Sequence, residues 1–136
     1  MGKNSDRLSK LFALQAKFND RVVPEGMKKY LRGRASQAER NKWLLRNARA
    51  IIHEAVELED SCLWKWWSKD KDIDLQNIRV EIIDLWHFLL SITMFANLDA
   101  DELYRLYKKK LLINHHRQDK GYSKKIKDES DNLSVV

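Results

Sequence analysis

Chain breakers are scarce in this sequence: four Gly and one Pro punctuate 136 residues. A β sandwich or barrel turns often and draws on those residues, so the scarcity argues against a turn-rich β architecture. Between the breakers the apolar residues repeat at helical spacing. Leu8, Leu11, Phe12, Leu14, Phe18 and Val22 recur three or four apart, which predicts a helix over Arg7 to Val22. Pro24-Glu25-Gly26 ends it, and Met27 to Leu31 adds at most a turn or two before Gly33. Ser36 and Glu39 match the capping-box pattern and open a Pro- and Gly-free run, expected to be helical to about Trp67. Ser68 to Asp74 reads as a charged connector and Leu75 to Asn97 as a fourth helix. Asp99, with Glu102 three residues on, caps a fifth helix running toward Arg117. The expected fold is all-α, a single-domain bundle of four to five helices over residues 1–122. A charged, mobile tail is expected over 123–136.

Several function classes fall away early. With 43% hydrophobic residues the chain can bury a core, and one cysteine, Cys62, forms no intramolecular disulfide framework. Cys62 has no catalytic signature around it and reads as a core residue. The start has no apolar leader segment, and the run Leu85 to Leu98 is broken by His87, Ser91, Thr93 and Asn97. That run is shorter than the roughly 18 residues a membrane span needs. A soluble, cytoplasmic protein is therefore expected. His53 and His87 make no HExxH pair, and no two glycines frame a phosphate-cradling loop.

The net charge of +6 hides a segregation. Residues 1–49 carry 13 basic against 4 acidic groups, 50–107 carry 5 against 12, and 108–136 carry 8 against 4. An acidic centre between basic flanks suits a cation site beside anion-binding groups, although solvated helix faces of differing sign give the same counts. Glu54 and Glu57 lie three apart in the third helix, and Glu81 and Asp84 three apart in the fourth, so each pair shares a face. At about 100° per residue, Leu85, Phe88, Ile92 and Phe95 fall within roughly 40° of Glu81. Glu81 thus sits on the meridian expected to face the core, with no Lys or Arg between Val80 and Leu103 to neutralise it. Carboxylates so placed must be paired, protonated or bound to metal. Four hard oxygen ligands suit Mg²⁺, with Mn²⁺ as the alternative, unless three of them lie wet at the helix edge.

Aromatic and basic residues follow. Trp64-Lys65-Trp66-Trp67 offers three indoles for stacking a base or for packing a core. Lys108 to Tyr122 gathers cations and amides that can hold phosphate or complement the end of a helix.

In this order the motifs resemble the dimeric, all-α dUTP diphosphatases, within the wider MazG-like family of nucleoside triphosphate pyrophosphohydrolases. The resemblance runs from about Leu11 to Tyr122. It rests on Phe12-Ala-Leu-Gln15 with Asn19, Glu54-x-x-Glu57, Leu63-Trp-Lys65-Trp-Trp67-Ser68, Glu81-x-x-Asp84-x-x-His87-Phe88-x-x-Ser91 and Asn114-x-x-Arg117-Gln118-x-x-Gly121-Tyr122.

The resemblance implies a homodimer that holds Mg²⁺ with Glu54, Glu57, Glu81 and Asp84 and hydrolyses dUTP to dUMP and pyrophosphate. It places Gln15, Asn19, Trp67, His87 and Phe88 around the base and deoxyribose, with Lys65 among the substrate contacts. Lys110, Asn114, Arg117 and Tyr122 address the phosphate chain. On chemical grounds Glu57 is the expected general base, with Lys110 and Arg117 stabilising developing charge. Leu111 stands where the family often has Asn, and the connector between the carboxylate helices is short for the family. Both departures keep dCTP and modified nucleotides open as substrates. A non-enzymatic helical module binding nucleic acid through its basic flanks is the rival reading, and the acidic centre weighs against it.

Overall fold

The computed structural model describes residues 6–121 and 130–136. Among these residues every regular element is helical and there is no strand, so the all-α expectation holds. The chain divides into two compact units, Met1–Leu98 and Asp99–Val136. The first holds α1 (Arg7–Val22), α2 (Lys28–Leu31), α3 (Gln37–Asp60) and α4 (Leu75–Phe95). The second holds α5 (Ala100–Asp119) and a 3-10 turn over Ser130–Ser134. No helix among the described residues is long and apolar enough to cross a membrane.

Side-chain caps set most helix starts. Asp6, Ser36, Asp74 and Asp99 each accept from a backbone N–H three residues on, filling one of the donors a helix start leaves open. Ser36 and Glu39 complete the reciprocal capping box. α4 ends in a Schellman turn: Asn97 takes the left-handed φ of 61°, while Asn97 N–H and Leu98 N–H donate to the carbonyls of Met94 and Thr93.

α3 stops at Asp60, short of the expected end near Trp67. Glycine and proline do not stop it. The carbonyl of Ser61, which would otherwise accept from residue 65, accepts instead from Asp74 N–H at the start of α4, at 3.1 Å. The Asn77 amide also donates to Ser61 Oγ at 2.7 Å. Tertiary hydrogen bonds thus capture the end of α3 and hold the N-terminus of α4 beside it, with residues 61–74 looping between antiparallel helices. Cys62 lies in that loop and is exposed, which corrects its expected place in the core; its thiol meets the Leu58 carbonyl at 3.4 Å.

The core of the first unit lies at the other end of the α3–α4 pair. Val23, Met27, Tyr30, Met94 and Phe95 are all essentially buried. The Trp43 ring stacks on Phe95 with centroids 5.3 Å apart, and Tyr30 meets Phe95 edge-on at 4.9 Å. Arg40 donates to the Phe95 carbonyl at 2.7 Å, satisfying a terminal acceptor of α4.

α1 presents an inverted face. Its apolar stripe is largely outside, with Leu14 66% and Phe18 54% exposed, while Gln15 and Asn19 are buried at 6% and 3%. Of the apolar residues in the repeat, Phe12 is the buried one.

Near the start of α3, Glu39 accepts from Ser36 N–H and from the Lys29 ammonium, and these donors hold its carboxyl far down, to about 2. A carboxyl lowered on folding stabilises the fold above its ordinary pKa, and that contribution fades as pH falls toward the folded value. Urea unfolding should therefore show Glu39→Gln less stable than the parent at about pH 7, with the gap closing by about pH 2. A gap that does not narrow with acid would remove this ion pair from the account.

Candidate functional site

The carboxylates meet at the end of the α3–α4 pair that lacks the aromatic core. Ligand oxygens of Glu54, Glu57 and Glu81 lie within 4.8 Å of one another. Glu81 is 7% exposed, Glu54 is half-buried and Glu57 is exposed. Asn77, one turn before Glu81, donates to Glu81 Oε1 at 3.0 Å with the amide that also reaches Ser61. That bond leaves Glu81 oriented between the helices.

Three features disfavour the charged state of this cluster. Partial burial, then the charges of Glu57, Asp84 and Glu81, hold the Glu54 carboxyl above the ordinary carboxylate range. The last turn of α3 carries no basic residue, so Glu57 stands near the negative pole of the helix dipole. Among the described residues no Lys, Arg or His forms an ion pair with Glu54, Glu57 or Glu81. A donor set made wholly of carboxylate oxygens fits a hard divalent cation, which would relieve all three.

Asp84 stands outside that trio, near enough for its charge to act on Glu54, and lines a cleft of about 450 Å³ between α1, α3 and α4. Gln15, Asn19, His87, Phe88 and Asp84, all singled out from sequence, line the cleft. Gln15 Nε2 donates to Asn19 Oδ1 at 2.9 Å and to Ser91 Oγ at 3.1 Å, and Asn19 Nδ2 donates to Ser91 Oγ at 3.1 Å. His87 Nδ1 lies 2.6 Å from Gln15 Oε1. The wall opposite these amides includes Trp43, Arg46 and Asn47 of α3, and the Arg46 guanidinium lies 4.8 Å from the Trp43 ring centroid.

The structure does not bring all expected residues to this cleft. Lys65 and Trp67 lie on the loop after α3 and do not line it. Lys65 approaches Asp60 at 4.0 Å and lies over Trp64, while Trp67 packs edge-on against Trp64 and Trp66. Lys110, Asn114 and Arg117 belong to the second unit. There Lys110 donates to Asn132, and Arg117 donates to Asp131 through two nitrogens. Asn114 and Arg117 line a shallow pocket on α5 with Leu111, His115 and Gln118. Tyr122 and the tail residues 123–129 lie outside the described residues.

Sequence reasoning missed Arg46, Asn47 and Asn77 altogether, and gave Ser91 no role. Asn47 is 7% exposed and donates to the Trp43 carbonyl. Lone amides within a helix carry no periodic signal, and Arg46 reads as one more cation in a basic half. A buried face had been expected to be apolar.

Residues 7–99 match a protein family described as dUTPase. The matched span contains the four carboxylates and the cleft, and leaves α5 beyond Asp99 outside it. The dCTP pyrophosphatase of Enterobacteria phage T4 is 33% identical over 78 residues, covering 48% of this chain and 46% of that protein. The dCTP pyrophosphatase of Enterobacteria phage LZ5 is 35% identical over 78 residues, covering 48% and 45%. The chain spans less than half the length of these relatives. No solved structure matches it.

Cation binding to the trio has a direct readout. Mn²⁺ at about 100 times its Kd should stabilise the fold by roughly 2.7 kcal/mol in thermal unfolding. Glu81→Gln keeps an oxygen for Asn77 but removes the charge, and should abolish most of that gain. A melting curve indifferent to Mn²⁺ or Mg²⁺ would exclude a cation site here.

Proposed function

The chain belongs to the dUTPase family, and from that premise we propose that it is a Mg²⁺-dependent nucleoside triphosphate pyrophosphohydrolase converting dUTP to dUMP and pyrophosphate. One observation supports this above the rest: a carboxylate trio and, lined by the neighbouring Asp84, an amide-floored cleft in the first unit. The trio suits the metal that a triphosphate carries, and the cleft is large enough for a pyrimidine nucleoside.

In this reading Glu54, Glu57, Glu81 and Asp84 hold Mg²⁺, which when bound neutralises phosphate oxygens and lowers the pKa of water. Gln15, Asn19, Trp67, His87 and Phe88 receive base and sugar, with Lys65 among the substrate contacts. Lys110, Asn114, Arg117 and Tyr122 bind phosphate oxygens. Such binding would replace the Asp131 carboxylate that Arg117 now holds. Glu57 is exposed at the rim of the trio, where it can take a proton from water as the water oxygen bonds to phosphorus. The bond from phosphorus to the bridging oxygen between the α and β phosphates then breaks, and pyrophosphate leaves with the electron pair.

A second reading, dCTP as the preferred substrate, is favoured by the two phage relatives named dCTP pyrophosphatase. Pyrophosphate release measured with Mg²⁺ across dUTP, dCTP, dTTP, UTP and modified deoxynucleotides separates the two. No release from any of them would remove the enzyme reading. Glu57→Gln should fold normally and lose turnover by at least about 100-fold, as loss of a general base does.

The outward stripe of α1 supports a homodimer as the working form. Leu11 and Leu14 are 46% and 66% exposed, and Leu11 lines an apolar groove of about 360 Å³ between α1 and α4, whereas Phe18 and Val22 line the cleft. Exposed apolar surface of this kind favours association. Sedimentation should give a dimer, and Leu11→Glu with Leu14→Glu should give monomers. A monomeric parent chain at micromolar concentration would overturn this part.

A further inference from the structure

Ser91 sits at the centre of the buried network on the cleft floor, 4% exposed. Its oxygen lies 3.1 Å from Gln15 Nε2, 3.1 Å from Asn19 Nδ2, 3.3 Å from Asn19 Oδ1 and 2.9 Å from the His87 carbonyl. A hydroxyl has one proton and two lone pairs. With both amides as they stand, Ser91 accepts twice and gives its one proton to the His87 carbonyl, the nearer of two acceptors beside it, Asn19 Oδ1 at 3.3 Å being the other. Gln15 Oε1 can then only accept from His87, 2.6 Å away. The neutral imidazole must therefore carry its proton on Nδ1 and leave Nε2 as an acceptor.

Other arrangements fail by counting protons. Turning Gln15 alone brings its oxygen against Asn19 Oδ1 at 2.9 Å, and turning Asn19 alone sets two NH₂ groups against each other. Turning both asks Ser91 to donate to Gln15, Asn19 and the His87 carbonyl with one proton. The single proton of Ser91 selects one polarity for the whole floor.

We infer that Ser91 is a positioning residue that fixes the tautomer of His87, and with it the hydrogen-bond acceptor the cleft offers to an N–H of a pyrimidine base. The effect on base selection rests on the proposed pyrophosphohydrolase activity; the effect on the tautomer does not. His87 and Phe88 line the same cleft, and with Nδ1 engaged by Gln15, Nε2 is the ring nitrogen left for a ligand. A site whose polar groups are fixed in advance rejects a base of the wrong polarity, whereas freely turning amides accept both.

The test is ¹⁵N NMR of the His87 ring in the full chain, at a pH where it is neutral. The parent protein should show one tautomer with the proton on Nδ1. Ser91→Ala should populate both tautomers, and Ser91→Thr, which keeps the hydroxyl, should restore the single form. In parallel, the ratio of kcat/KM for dUTP to that for dCTP should move toward one by at least about tenfold in Ser91→Ala and stay near the parent value in Ser91→Thr. A proton on Nε2 in the parent, or an unchanged tautomer in Ser91→Ala, overturns the inference. A tautomer change with an unchanged base ratio overturns its link to selection. If the parent turns over neither nucleotide, the proposed activity falls while the ring spectrum still decides the role of Ser91.

Discussion

The carboxylate of Glu81, buried on the face of α4 that meets α3, constrains most of what surrounds it. A charged group in that position costs several kcal/mol unless other groups compensate it. The first unit supplies one hydrogen bond, from Asn77, and then adds Glu54 and Glu57 at the acidic end of α3. Nothing about folding alone favours this concentration of negative charge. Stability for the pair comes from its opposite end, where Trp43, Phe95, Tyr30, Met27 and Met94 pack tightly. The two ends divide the work: one is an apolar clamp, the other a cluster of carboxylate oxygens that could hold a cation. Asn77 joins the two aims, because the same amide that orients Glu81 also holds Ser61 and so terminates α3.

The same logic explains why α1 turns its polar side inward. A helix normally buries its apolar stripe. Here Gln15 and Asn19 are buried against Ser91 of α4, and a buried amide is tolerable only when its donors and acceptors are matched. The Ser91 network meets that condition among its own side chains and the His87 carbonyl. Leu11, Leu14 and Phe18 of α1 are left largely exposed. Burying polarity inside and presenting apolar groups outside are two consequences of one rotation of α1.

Much of this was legible in the residues. The span of α1, the Ser36 and Asp99 caps and the start of α4 follow from spacing and local cap chemistry, and the structure has them where expected. The burial of Glu81 also follows, since the meridian it shares with Phe88, Ile92 and Phe95 is a property of α4 alone. The end of α3 was not legible. No local signal stops that helix; the Asp74 N–H does, from across the connector. The indole loop was therefore misread as helix, and Cys62 as core. Asn47, Asn77 and Ser91 were obscure for a related reason: their worth lies in partners on other elements, and a single polar residue in a helix predicts no partner.

Charge segregation acquires a physical meaning once the elements are placed. The basic N-terminal half of α3 and its acidic C-terminal half are turns of one helix. Glu39 in the first turn suits the positive pole, whereas the carboxylates near the end of the helix stand by the negative pole and oppose the dipole. A sequence selected only for helix stability would place cations there, and the last turn has none. Glu54 lies in this acidic half, held above the ordinary carboxylate range by its burial and then by the neighbouring charges. The cleft between α1, α3 and α4 has Arg46 and Asp84 among its lining residues. One wall thus offers a guanidinium and another a carboxylate, so charges that are segregated along the sequence meet again in a single cleft.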